Sequence, residues 1–542
     1  MSVFTGTGRL FGAALRRDRI KLLVWIVGIA AILIPSTLSV KAVYETPEEI
    51  MGYVAASAVS VAARAFNGPV LGATQESIML TETFTFFTLF VAFMSTLLVV
   101  RHTRAEEEAG RTELIGSASV GLYAPLAAAL SLAFLANLLI VGVVTTAYMV
   151  CGLAFDSSLL AGLAMGAMGM VFAGIAAIVA QLTQTSRAAN AIAGGSVGFF
   201  FLLRAVGDAF GEVQPGGLEV KSGLATMFSP MGLAREVQPF IRDNVWPLVV
   251  LAVTLFVAIG CALFLRSRRD LGSGLFPARR GPASAKASLS SAFGLAFRQQ
   301  RGLIIGWSIG VAVLAVALGS MAQEVAKMTS SSKDMAEMIA LLGGSENLTN
   351  AYLAFSMSLF GVMAVGYAVQ AMQKIRSEEA EGRLELVLAG SVRRQSWILS
   401  HMVITGIGGT ILVLIAGIAA GVTHGIMSND LETQAFALIQ AGLVQIPLVL
   451  LFVAIVAFLF AVLPAISNAL AWTFFAGSYA IMQLGALLKL PEWAINLSPF
   501  THIPAIPAEE MTWSPILWIL AVSAGAAIMA VGLFRRRNIT TT

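Results

Sequence analysis

The sequence predicts an all-α polytopic membrane protein of about twelve transmembrane helices, arranged as two parallel six-helix repeats. Three observations predict it. Of 542 residues, 57% are hydrophobic and 12% charged, with a mean hydropathy of +0.84, whereas soluble domains carry roughly 25% charged residues. Apolar runs long enough to cross about 30 Å of hydrocarbon recur along the chain. A charged string of the first half returns in the second, 272 residues later (Arg104 against Arg376).

The apolar runs fall at 22–42, 83–100, 123–150, 158–182, 189–206, 247–265, 303–322, 352–372, 397–422, 435–463, 469–488 and 515–534. An even number of spans puts both termini on one side. With that side cytoplasmic, 25 of the 34 Lys and Arg lie in inner segments, so the positive-inside rule favours this orientation. The other nine are Lys41, Arg64, Arg204, Lys221, Arg235, Arg242, Lys327, Lys333 and Lys489. No cleaved leader is expected, because Arg16, Arg17, Arg19 and Lys21 precede a long first run without a small-residue cleavage site. The net charge of +4 belongs to membrane orientation and not to nucleic acid, since the basic residues flank apolar runs. Cys151 and Cys261 both sit in apolar runs, which excludes a disulfide framework and a Cys-x-x-Cys site.

The repeat is specific. Arg104-Ala-Glu106-Glu107-Glu-Ala-Gly110-Arg111-Thr-Glu113-Leu114 matches Arg376-Ser-Glu378-Glu379-Ala-Glu-Gly382-Arg383-Leu-Glu385-Leu386 at seven positions without a gap, and Ser119-Val120 matches Ser391-Val392 at the same offset. Upstream, Arg16, Arg19, Trp25 and Gly28 correspond to Arg298, Arg301, Trp307 and Gly310. Phe228-Ser229-Pro230 and Leu497-Ser498-Pro499 precede the last run of each half, and Arg266-Ser-Arg268-Arg269 and Arg535-Arg536-Arg537 follow it. The expected domains are a six-span half over 1–265, a basic linker over 266–297 and a second six-span half over 298–542. Gly272, Gly274, Pro277, Gly281 and Pro282 read as a flexible connector. Parallel repeats imply an axis along the membrane normal and a cavity between the halves.

Each string lies between the second and third span of its half. Glu107 and Arg111, like Glu379 and Arg383, stand four apart with the acid first, the spacing of a favourable helical pair. A short surface helix follows, bent at Gly110 and Gly382; a solvated positive-inside loop is the alternative. Glu-Glu-x-x-Gly-Arg-x-Glu-Leu followed by Ser-Val resembles the second-to-third-span coupling helix of ABC-2 type permeases. It departs from their usual form in carrying Arg111 and Arg383 for Thr and in lacking a Pro before Val120 and Val392. The Gly-Arg form, the six-plus-six fusion and the Ser-Pro segments resemble the actinobacterial branch of polyketide-antibiotic and multidrug exporters, over nearly the whole chain.

The resemblance implies the ABC-2, type V exporter-like fold in a bacterial plasma membrane, with two separate ABC ATPase (nucleotide-binding) subunits. ATP and Mg would be bound by those partners, and no cofactor by this chain, which has neither a Gly-x-x-x-x-Gly-Lys-Ser/Thr loop nor a Leu-Ser-Gly-Gly signature. It implies ATPase coupling through Glu106, Glu107, Gly110, Arg111 and Glu113 and through Glu378, Glu379, Gly382, Arg383 and Glu385. Arg16, Arg17, Arg19, Arg298 and Arg301 would lie on amphipathic surface helices, or anchor lipid headgroups.

The expected cargo is a hydrophobic or amphipathic small molecule. Phe86, Phe90 and Phe93 share one face of the second span by their i, i+4, i+7 spacing. With Phe199, Phe200 and Phe201 of the fifth span, Phe355 and Phe360 of the eighth, and Phe474, Phe475, Tyr479 and Met482 of the eleventh, they are candidate lining residues. The resemblance places second and fifth spans at the central cavity, and rings and thioethers suit large apolar compounds; packing between helices or against lipid is the alternative. Arg204 and Asp208 are candidates for an outer gate, or an interfacial pair. Glu82 and His401 start spans as interfacial groups. No motif for metal binding or nucleophilic catalysis occurs, and no catalytic residue is expected. Two other classes stay open: a proton-coupled secondary carrier, although the major-facilitator loop motif is absent, and a non-transporting ABC-type signalling subunit.

Overall fold

Eleven helices among the described residues are long and apolar enough to cross a membrane. The computed structural model describes residues 2–116, 118–215, 219–276, 283–285, 287–329, 348–485 and 490–539. Pro277, Gly281, Pro282, Lys333 and Lys489 lie outside them. The chain divides into two units, Met1–Gly281 and Pro282–Thr542. The first holds α1 (Thr7–Val43), α2 (Gln75–Glu108), α3 (Ala124–Val150), α4 (Phe155–Leu182), α5 (Ser186–Ala209) and α6 (Trp246–Ser267). The second holds α7 (Ala292–Thr329), α8 (Leu348–Ala380), α9 (Arg394–Ser428), α10 (Leu431–Val462), α11 (Ser467–Leu484) and α12 (Trp513–Arg536). The protein is an all-α polytopic membrane protein.

The helix that falls short of the expected twelve spans is α11. Its 18 residues reach about 27 Å at ~1.5 Å per residue, under the ~30 Å of hydrocarbon. Asn468, Ser478 and Gln483 dilute its apolar character.

Helix pairing repeats between the units. In the first, α3 packs on α1 and α4, α4 on α2 and α6, and α5 on α2 and α4. In the second, α9 packs on α7 and α10, α10 on α8 and α12, and α11 on α8 and α10. Thus α2 and α4, like α8 and α10, are the buried centre of their unit, while α1, α5, α6, α7 and α12 present apolar surface outward, as lipid-facing helices do. The contact of third with fourth helix uses small residues on opposite sides. In the first unit Gly162 of α4 lets Val141 approach so closely that a Cβ would lie 2.7 Å from its carbonyl oxygen. In the second Gly417 of α9 meets Leu438, at 2.5 Å. Close backbone approach of this kind drives helix association where lipid removes the hydrophobic force.

Three local readings change. The basic segments carrying Arg16, Arg17 and Arg19, and Arg298 and Arg301, are not separate surface helices: they begin α1 and α7, which run unbroken for 37 and 38 residues. The ends of α2 and α8 pass the expected limits, at 100 and 372, by eight residues each, to Glu108 and Ala380, so the Glu-Glu pairs belong to the overrun of a span. The start of the linker is folded, since Leu275 and Phe276 donate their N–H groups to Gln181 and Leu182 carbonyls at the end of α4 (3.2 and 3.1 Å).

At the opposite end of the first unit, short helices Pro47–Val59, Val61–Asn67, Leu224–Met227 and Pro230–Arg235 form a layer. Thr46 and Glu49 cap the first of these in a reciprocal capping box. The strands among the described residues are Glu212–Val213 and Val220–Lys221, paired antiparallel.

Candidate functional site: two elbows

Each charged string folds into an elbow. The overrun of α2 ends where Gly110 takes φ +70, and that of α8 where Gly382 takes φ +70. Glycine supplies this left-handed stop without a Cβ clash. The closing bonds repeat, with Gly110 N–H to the Glu107 carbonyl and Gly382 N–H to the Glu379 carbonyl, both 3.0 Å. A short helix then starts in a new direction, Arg111–Gly116 in one half and Arg383–Leu388 in the other.

The left-handed residue changes the pairing. Arg111 does not reach Glu107, four residues back; its Nε and Nη2 hold both oxygens of Glu106 at 2.8 and 3.0 Å. Arg383 likewise holds Glu378, not Glu379, with Nε at 3.0 Å, and also meets Glu381. The i, i+4 rule assumes unbroken helical turns, and one αL residue moves the contact to i, i+5. The carboxylates raise both guanidinium pKa values above the ordinary arginine value. Because Arg111 is largely solvated, Arg111→Ala is expected to leave the thermal unfolding midpoint essentially unchanged; a large drop would show that this pair holds the elbow together.

In the first half three successive glutamates reach three different helices. Glu106 takes a salt bridge from Arg17 of α1 (2.7 Å). Glu107, nearly buried, is held by Arg269 just past α6 and by Arg104, each 2.5 Å away. Glu108 accepts the N–H and hydroxyl of Ser186, the first residue of α5, at 2.8 and 2.5 Å, a carboxylate at a helix N-terminus. In the second half Glu379 pairs with Arg537 just past α12 and lies 3.8 Å from Arg376, and Glu378 takes Lys374 at 3.3 Å. Outward from each elbow stand the exposed Glu113 and Leu114, and the exposed Glu385 and Leu386.

Some of the site escaped sequence reasoning. Asp18 of α1 is fully buried; its Oδ2 lies 2.9 Å from Arg101 Nε as an ion pair and bonds His102 Nε2 at 2.7 Å. Arg17 Nη2 lies 3.2 Å from His102 Nδ1, so a neutral imidazole that donates to Asp18 and accepts from Arg17 satisfies both ring nitrogens. At Asp18's repeat position stands Gln300, whose amide meets His401 Nδ1 at 3.3 Å and Thr405 at 3.1 Å. His401 is buried against Trp397, with rings 5.0 Å apart, and does not face solvent. A buried Asp in the basic lead-in of a span was the available signal.

The aromatic candidates divide. Phe90, Phe93, Phe199, Phe355 and Phe474 present open ring surface. Phe86 stacks edge-on with Phe66 (5.5 Å), which also meets Phe201, and Phe200 lies between Phe172 and Phe199. Phe475 and Tyr479 gather on Phe500 and Met482 is half-buried beside the same core. Phe360 is 1% exposed inside the core of the second unit, so it packs helices and offers no lining surface.

Arg204 and Asp208 meet at 2.8 Å, fully buried. Arg204 also donates to the Ala65 and Phe66 carbonyls at 2.8 and 3.1 Å, while Thr226 donates to Asp208 at 2.8 Å. These bonds make the pair a buried strut between α5 and the short-helix layer. Cys151 is buried and Cys261 exposed.

The family model described as the C-terminal domain of the multidrug efflux system permease Rv1217c matches residues 289–535, a stretch that includes the second elbow. Over 539 residues the chain is 34% identical to the multidrug efflux system permease protein Rv1217c of Mycobacterium tuberculosis (strain ATCC 25618 / H37Rv), covering 99% of this chain and 96% of that one. The chain thus belongs, along its whole length, to the multidrug efflux system permease family.

Proposed function

We propose that this chain is the membrane permease of an ATP-driven ABC-2 type exporter that moves hydrophobic or amphipathic compounds of the antibiotic and multidrug kind out of a bacterium. Two separate ATPase subunits supply the energy, the termini are cytoplasmic, and the elbows at Gly110 and Gly382 receive the ATPases. The observation that carries this reading is the twofold elbow with an exposed Glu–Leu pair beyond each left-handed glycine. An apolar side chain exposed on an otherwise charged turn suits a partner's groove. The relative's name supports the cargo class, and the open rings of Phe90, Phe93, Phe199, Phe355 and Phe474 are the lining residues we favour.

A proton-coupled carrier is disfavoured by the position of the titratable groups. Among the described residues Asp18, His102, Glu82, Asp208 and His401 lie toward helix ends and none at mid-span, whereas proton relays cross the membrane interior.

The test is co-purification of the chain in lipid nanodiscs with an ABC ATPase from the same organism. Leu114→Asp with Leu386→Asp is expected to abolish ATPase retention while leaving the unfolding midpoint of the permease unchanged. Retention by the double variant would remove the elbows from the docking site.

A further inference from the structure

We propose that Arg269 and Arg537, each just beyond the last helix of its half, are positioning residues that deliver elbow movement to the fourth and sixth helices of that half. The proposal rests on the coupling role above. Two different local constructions arrive at the same tie. In the first half Arg269 donates Nε to the Gln181 side chain in the last turn of α4 (2.7 Å) and both Nη atoms to Glu107 (2.7 and 2.5 Å). In the second half Arg537 donates Nη1 to the Phe460 carbonyl in the last turn of α10 (2.5 Å) and Nη2 to Glu379. Its guanidinium stacks on Phe460 and Phe534 at 4.6 and 5.4 Å, which preorganises it.

The supporting groups differ, a glutamine side chain in one half and an aromatic cage in the other, yet the equivalent elbow glutamate is held in both by an arginine just past the last helix. A generic basic flank on the inner side of a last span needs no such bond. A simple cap on the carbonyls of α4 or α10 would not require the glutamate. The ties that the first half adds are missing from the second: Gln299 stands at the repeat position of Arg17, and Ala380 at that of Glu108. Among the described residues Arg537 is therefore the one ion pair linking the second elbow to another helix, whereas the first elbow keeps three links.

The unequal tethering makes the test specific. Hydrogen exchange of peptides over 104–116 and 376–388 is measured on the full chain in nanodiscs without ATPase, for wild type, Arg269→Gln, Arg537→Gln and Arg537→Lys. Arg537→Gln is expected to speed exchange at 376–388 by about tenfold, and Arg269→Gln at 104–116 by about threefold, because Arg537→Gln removes the one ion pair that links its elbow to another helix whereas Arg269→Gln leaves two of three links in place, and local opening follows what still holds the segment. Arg537→Lys, which keeps the charge and guards against misfolding, should fall between Gln and wild type. With the ATPase added, ATP hydrolysis and export of the dye Hoechst 33342 are read together. Both Gln variants should bind ATPase normally but export about tenfold less dye per ATP, on the order expected of lost positioning. Unchanged exchange in both variants overturns the tie. Faster exchange with unchanged dye per ATP overturns its role in transmission. If the wild-type chain recruits no ATPase, the coupling reading fails and transmission with it, while the exchange result still decides whether the tie exists.

Discussion

Glu107→Ala should destabilise the first half by about 3–5 kcal/mol, the usual cost of stripping one partner from a buried ion pair. Arg104 and Arg269 are both buried against Glu107, and the buried Arg266 stands close enough to feel its charge. Without the carboxylate, three guanidiniums share a site from which water is excluded. Arg104 and Arg269 also donate to the Ser273 carbonyl at 3.1 and 2.7 Å, so the folded start of the linker should loosen with the elbow. The check is the thermal unfolding midpoint in detergent together with proteolysis between residues 266 and 276. Glu113→Ala, two turns away on an exposed position, should leave both unchanged. Equal effects of the two substitutions would contradict the division of the string into a structural glutamate and an outward one.

Arg235→Ala should be comparably severe, at least about 3 kcal/mol, through a different mechanism. Arg235 is fully buried and donates to the Asn67 and Pro69 carbonyls at 2.8 and 2.5 Å and to the Thr85 and Thr81 hydroxyls at 3.2 and 3.1 Å. Each buried acceptor left unpaired costs about 1–3 kcal/mol. Burial pushes the Arg235 pKa down to about 10, partly countered by Asp208, so the group stays charged at neutral pH and its bonds are charge-assisted. Arg235→Lys should rescue little, because one ammonium cannot span the fork of carbonyls and hydroxyls. Protease sensitivity near Gly68 and the unfolding midpoint report the outcome; full stability of the Lys variant would mean that charge alone suffices there.

The sequence made the architecture legible wherever one residue type dominates locally. Apolar runs marked the helices because a lipid-facing helix cannot hide many charges, and the repeated string marked the halves because charged residues are scarce in this chain. What stayed hidden depended on geometry that spacing does not record. A single αL glycine transferred Arg111 from Glu107 to Glu106, and Arg383 from Glu379 to Glu378. The partners of Glu107 and Asp18 lie 162 and 84 residues away in the chain, beyond any periodicity. Arg269 read as one more basic flank, and the glycines after it as a flexible linker, although Gly272, Ser273 and Leu275 are bonded to the elbow or to α4. Phe360 shared a helix with Phe355, but i, i+5 spacing turns it some 140° around the helix and into the core.

The proposed transport by this chain is driven by ATP hydrolysed on a partner. It is tested most directly in inside-out vesicles containing the chain with its ATPase, by following Hoechst 33342 uptake with ATP alone and with an imposed proton gradient alone. Uptake is expected with ATP, persisting when an uncoupler collapses the gradient, and none is expected with the gradient alone. Gradient-driven uptake by the chain without any ATPase would contradict it.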